Sequence, residues 1–127
     1  LVVDDEPEIV TLLKFVLERD GHKILDACNG QVALERLGVD PPAPDSPLPD
    51  LIVLDIMMPV MDGYALNNRL QREGRTKAIP ILVLTAKGQK MRDLFEMAPN
   101  VAAYVQKPFD PKMLRELILG ILSGRKN

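Results

Sequence analysis

The feature that most restricts this chain's fold is an alternation. Short aliphatic runs at residues 1–3, 51–54, 81–84 and 101–105 recur between stretches with helical periodicity. A weaker run covers residues 23–28. Runs this short, aliphatic throughout and bounded by breakers, read as buried parallel strands. Between them, Pro7 suits a first helical position, and Ile9, Leu12, Leu13, Val16 and Leu17 share one face until Gly21 ends the pattern. Asn29-Gly30 precedes a shorter helix with Val32, Leu34 and Leu37. Asp62 can cap a third, carrying Leu66 and Leu70. A fourth covers about residues 88–98. Asp110-Pro111 opens the last, with Leu114, Leu117, Ile118, Ile121 and Leu122 on one stripe.

Strands alternating with helices predict an α/β fold with right-handed crossovers. The expectation is one doubly wound, five-stranded parallel sheet of order 2-1-3-4-5, flavodoxin-like, with helices on both faces. A length of 127 residues suits a single domain spanning 1–127. Aromatics are only 4% of the chain while hydrophobic residues reach 46%, so the core must be aliphatic. Five of the eleven residues in 40–50 are proline, which predicts an extended, helix-incompatible loop inserted before the third strand.

Charge and cysteine content narrow the function. A net charge of −2 argues against direct nucleic-acid binding. No apolar run reaches bilayer length, and no signal peptide precedes the first acidic residues. The lone Cys28 fits a reducing, cytoplasmic setting and reads as a small buried apolar group. The chain opens on Leu, and the first residues of its opening strand are expected to precede it.

The polar residues fall at strand ends: Asp4-Asp5 after the first, Asp55 after the third, Thr85 after the fourth, Lys107-Pro108 after the fifth. Open parallel sheets bind ligands at the carboxyl ends of their strands, where strand order reverses. With order 2-1-3-4-5, Asp4, Asp5 and Asp55 converge there. Clustered carboxylates repel one another, and a hard divalent cation such as Mg2+ relieves that repulsion. A carboxylate can also act as a nucleophile in phosphoryl transfer, which needs in-line positioning and positive charge more than a general base. Lys107 supplies a second cation and Thr85 a hydroxyl donor. Each residue alone has a plainer reading: an Asp as a helix cap, Thr85 as structure, Lys107 as surface, Tyr104 as strand packing. Their joint placement is what is informative. Met57, Met58 and Met61 read as loop packing, since no Cys or His joins them. His22 reads as a surface residue.

At this point the chain resembles the response-regulator receiver domains. The residues from Asp55 through Ile56, Met57, Met58, Pro59, Val60, Met61 and Asp62 to Gly63 are similar to that family's phosphoacceptor loop. Val2-Val3-Asp4-Asp5-Glu6-Pro7, Leu84-Thr85-Ala86 and Tyr104-Val105-Gln106-Lys107-Pro108-Phe109 resemble its other motifs, in order and with fitting spacing. The resemblance implies that Asp55 accepts the phosphoryl group. It implies that Asp4, Asp5, Asp55 and the Met57 backbone carbonyl hold Mg2+, with Asp4 and Asp5 unranked as direct ligands. It implies switch roles for Thr85 and Tyr104, a phosphoryl-binding role for Lys107, and a cis bond to Pro108. The implied function is a signalling switch rather than an enzyme on other substrates. Its phosphodonor would be a sensor histidine kinase or histidine phosphotransfer protein, and its target a downstream protein or effector domain. No membrane partner is implied.

Two features depart from the family's usual pattern. The proline-rich segment is longer than the usual turn, and Asn100-Val101-Ala102-Ala103 leaves the fifth strand apolar where acidic residues are common. The second has two readings: an output face, built from the fourth helix, the fifth strand and the last helix, that suits a partner protein or a phosphorylation-dependent homodimer, or alanines that only pack under the last helix. Met91, Phe95 and Met97 are candidates to extend such a face. Two other classes are disfavoured by the residues. A degenerate receiver acting only by binding should lack part of the site set, and none is missing. An Asp-nucleophile phosphatase needs a second Asp where Met57 stands, and a flavin carrier would set its phosphate against Asp5-Glu6.

Overall fold

Alternating side chains split the aliphatic core between the two faces of one sheet. The computed structural model describes residues 1–56, 60–86 and 100–125. The strands are β1 (Val2–Val3), β2 (Asp26–Ala27), β3 (Ile52–Asp55), β4 (Ile81–Ala86) and β5 (Val101–Lys107). They pair in parallel in the order β2-β1-β3-β4-β5. The described helices are α1 (Pro7–Glu18), α2 (Gly30–Arg36), α3 (Gly63–Gln71) and α4 (Pro111–Arg125). This is the doubly wound, flavodoxin-like architecture that the alternation predicts.

On one face, Val3, Ile52, Leu54, Ile81 and Val83 pack with Ala33, Leu34, Leu66 and Leu70 of α2 and α3. On the other, Val2, Val53, Leu82, Leu84 and Val105 pack with Leu13, Leu17, Leu114 and Ile118 of α1 and α4. Successive residues of β3 thus serve opposite layers, and all four of its residues are buried.

Local signals set the helix ends. Pro7 begins α1, and Gly21, at φ 85°, turns the chain out of it. The Asn29 side chain accepts from Val32 N–H, and that of Asp62 accepts from Ala65 N–H. Asp20 joins α1 to α4, accepting two hydrogen bonds from Arg115 at 2.6 and 2.7 Å.

Four expectations change. β2 is two residues, not six, because it is registered only against Val2 and Val3. Cys28 therefore lies past the strand, in the turn before α2, and is exposed rather than buried. Leu117 is 36% exposed, off the buried stripe of Leu114 and Ile118. The first part of segment 40–50, residues 40–46, is not extended but folds into successive turns, and residues 47–49 carry none. Ala43 N–H donates to Gly38 O, and Ser46 N–H to Ala43 O. Gly38, at φ 72°, permits this, since a Cβ there would lie 2.4 Å from Ala43 O. Arg75 reaches in from beyond α3 and donates to the carbonyls of Leu37 (3.1 Å) and Ser46 (2.7 Å). The fourth predicted helix, with Met91, Phe95 and Met97, lies outside the described residues.

Candidate functional site

One alternation rule gathers the polar residues at a single rim. Val2, Val53 and Val105 all face the α1/α4 layer. Two residues further along each strand, Asp4, Asp55 and Lys107 inherit that direction just as the strands run out. There they meet. Lys107 Nζ lies 3.0 Å from Asp4 Oδ2 and 3.6 Å from Asp55 Oδ2. It also lies 2.8 Å from Glu6 Oε1. Asp4 and Asp55 are buried, at 1% and 4% exposure, so both carboxylates are held where water screens them poorly.

The rim is crowded with negative charge. Asp4, Asp5, Glu6 and Asp55 each place a carboxylate oxygen within 4.8 Å of the others. Hard oxygen donors at that separation fit a hard divalent cation. Asp4 and Asp55 are buried members of this set, while Asp5 and Glu6 open to solvent. The only cation of the described residues paired with it is Lys107. Burial pushes the Lys107 ammonium down, but hydrogen bonds to Glu6 and Asp4 and the charge of Asp55 outweigh it, and its pKa is raised. Lys107 is therefore a fixed positive charge. The Lys107–Pro108 peptide is cis.

Thr85 sits at the same end, one step beyond Leu84, the register partner of Asp55, and is 9% exposed. Tyr104 pairs with Val83 and packs on the α2/α3 layer, the opposite face from Lys107. Met57 lies outside the described residues. Beyond it, Val60 holds a left-handed backbone at φ 70°, a conformation that costs a β-branched residue about 1–3 kcal/mol. Its side chain is 82% exposed. A cleft of about 270 Å³ runs from Asp4 and Asp5 along α1 to Lys14 and Cys28.

Two residues of the site escaped the sequence reading. Glu6 looked like a helix-start residue, yet its carboxylate holds Lys107. Gly63 looked like part of a motif without a stated job. Its N–H donates to Ile56 O at 2.7 Å, and a Cβ there would fall 2.6 Å from the Asp55 carbonyl oxygen. The absent side chain lets α3 start against the backbone of Asp55. The third acid in the Asp4-Asp5-Glu6 run was the available signal for Glu6.

Comparison with known proteins agrees with this geometry. Residues 1–119 match the response regulator receiver domain family. The chain belongs to that family. Receiver domains are signalling domains that switch state on phosphorylation. The chain is 32% identical to protein PilH of Pseudomonas aeruginosa over 126 residues, covering 98% of this chain and 97% of PilH. It is 37% identical over 122 residues to PhoP, the alkaline phosphatase synthesis transcriptional regulatory protein of Bacillus subtilis. That match covers 96% of this chain but 47% of PhoP, so the chain spans about half the length of that regulator. Among solved structures, a putative response regulator from Chloroflexus aurantiacus superimposes with a TM-score of 0.80 at 31% identity, covering 96% of this chain and 94% of that one. No helix among the described residues is long and apolar enough to cross a membrane.

Proposed function

We propose that this receiver accepts a phosphoryl group on the Asp55 carboxylate and changes the surface around β5 and α4 in response. The observation that carries the reading is the buried Asp55 carboxylate, 3.6 Å from the Lys107 ammonium and within 4.8 Å of three further carboxylates. In the transfer, an Asp55 carboxylate oxygen attacks phosphorus in line. The bond from phosphorus to the donor nitrogen of a phosphohistidine breaks, and that nitrogen keeps the electron pair. The product is an aspartyl phosphate. A sensor histidine kinase or histidine phosphotransfer protein is the donor, and the same site returns the phosphoryl group to water.

Asp4, Asp5, Asp55 and the Met57 carbonyl would hold Mg2+, which would supply positive charge to the carboxylates and the transferring group. Lys107 binds a phosphoryl oxygen and orients it. Thr85 donates its hydroxyl to another, drawing the end of β4 toward Asp55, and Tyr104 adjusts to the space so released. The change reaches the apolar β5 surface of Val101, Ala102 and Ala103 together with α4. That surface suits a downstream protein, an attached effector domain or a second copy of the chain. PhoP is by name a transcriptional regulator and RpaA of Synechocystis is by name DNA-binding, which supports an attached or separate effector. The domain is read as residues 1–127, with 40–50 as a loop insertion at the far rim, and as working in the cytoplasm.

The test is labelling with acetyl phosphate and Mg2+, read as intact mass. One phosphoryl group should add to the parent and none to Asp55→Asn. Equal labelling of the two would remove Asp55 as acceptor.

A further inference from the structure

Glu6 stands where α1 begins, a position that favours short side chains able to accept hydrogen bonds from the helix's first amides. Its backbone is extended there, at φ −91° and ψ 108°, but its side chain makes no capping bond. The carboxylate instead reaches Lys107, 101 residues away in sequence, at 2.8 Å. Its backbone is fixed as well: Glu6 N–H donates to Asp4 Oδ1 at 2.9 Å, and Pro7 follows at the first helical position. Glu6 is thus anchored on both sides and aimed across the rim at the lysine.

Lys107 is shared unequally. It lies closer to Glu6 (2.8 Å) and Asp4 (3.0 Å) than to Asp55 (3.6 Å), beyond ordinary hydrogen-bond length for the last. Asp4 is buried and held by two donors. The Glu6 side chain is 52% exposed, so it can give up the lysine to water at little cost.

We propose that Glu6 is a positioning residue that holds Lys107 away from Asp55 and competes with the phosphoryl group for it. The proposal rests on the assignment of Asp55 and Lys107 above and adds a regulator to it. Glu6 sets how strongly the phosphorylated form is favoured by taxing the contact that Lys107 makes with the phosphoryl oxygens.

Beryllofluoride, a phosphoryl mimic, tests this as an equilibrium. At saturating Mg2+, Glu6→Gln should bind beryllofluoride about two- to fivefold more tightly than the parent, the range expected for loss of a solvent-facing charge contact. Glu8→Gln removes the same charge from the first turn of the same helix and should leave affinity unchanged. Without metal, the Lys107 Nζ resonance should move in Glu6→Gln and stay in place in Glu8→Gln. No gain in Glu6→Gln, or an equal gain in both variants, would overturn the competition. Beryllofluoride binding that survives Asp55→Asn would instead defeat the acceptor assignment, while the resonance shift still reports whether Glu6 holds Lys107.

Discussion

The two rims of the sheet are fastened by opposite means. At the carboxyl rim, side chains at or just past the ends of β1, β3 and β5 meet each other, and among the described residues the fastening is charge: one lysine among four carboxylates. At the amino rim, the proline-rich turns are held by Arg75, whose guanidinium donates to backbone carbonyls of Leu37 and Ser46 and meets no carboxylate among its described bonds. The larger cavity, about 460 Å³, also lies at the amino rim, among Leu1, Leu25, Leu48 and Ile118. It contains none of the four clustered carboxylates, so size does not mark the reactive end. A side-chain-to-side-chain rim depends on residue identity, whereas a rim held through carbonyls tolerates many sequences so long as the arginine and the turn shape remain.

The largest test of this contrast is Lys107→Ala in metal-free buffer. It removes the ammonium that lies beside the buried Asp4 and Asp55 and should lower stability by about 3 kcal/mol in urea denaturation. Added Mg2+ should recover much of the loss, while acetyl-phosphate labelling stays depressed. A variant as stable as the parent without metal would mean the carboxyl rim does not depend on its lysine.

Arg75→Ala should cost less, about 1–2 kcal/mol, through the Leu37, Gly38 and Ser46 carbonyls that lose a charged donor. Its labelling rate should match the parent, as should that of a variant with 40–50 cut to a short turn. A labelling defect in either folded variant would show that the rims are coupled, and the contrast would fail.

The smallest effect belongs to the Asp20–Arg115 pair that joins α1 to α4. The Arg115 hydrogen bonds hold the Asp20 carboxyl below its ordinary value of 3.8. A lowered folded pKa adds stability that is complete above the ordinary value and is lost as pH falls through the lowered one. Asp20→Asn should therefore melt slightly below the parent at neutral pH and at the same temperature in strong acid. A Tm difference that persists unchanged into strong acid would rule out the ion pair as its source.

Much of this was legible in the sequence because it is local or periodic. The runs at 51–54 and 81–84 announced buried strands by composition, and Asn29 and Asp62 announced helix starts by their short acceptor side chains. Asp55, Thr85 and Lys107 could be placed at one rim because strand ends in a parallel sheet share a rim. What escaped depends on distant partners. Nothing near Glu6 reveals a lysine 101 residues on, and nothing in 40–50 reveals Arg75. Prolines forbid a helix there without choosing between an extended path and stacked turns. Cys28 was misread because strand length depends on the neighbouring strand, not on the run itself.

The shared direction of Asp4, Asp55 and Lys107 bears on how such a chain can change length over generations. Deleting or adding one residue within β1, β3 or β5 would turn the terminal side chain to the opposite face and empty one corner of the rim. Gains and losses of sequence are thus confined to segments after which a strand can restart in the same phase. Residues 40–50 end before Leu51 re-enters the core, so growth there leaves the phase of Val53 and Asp55 untouched.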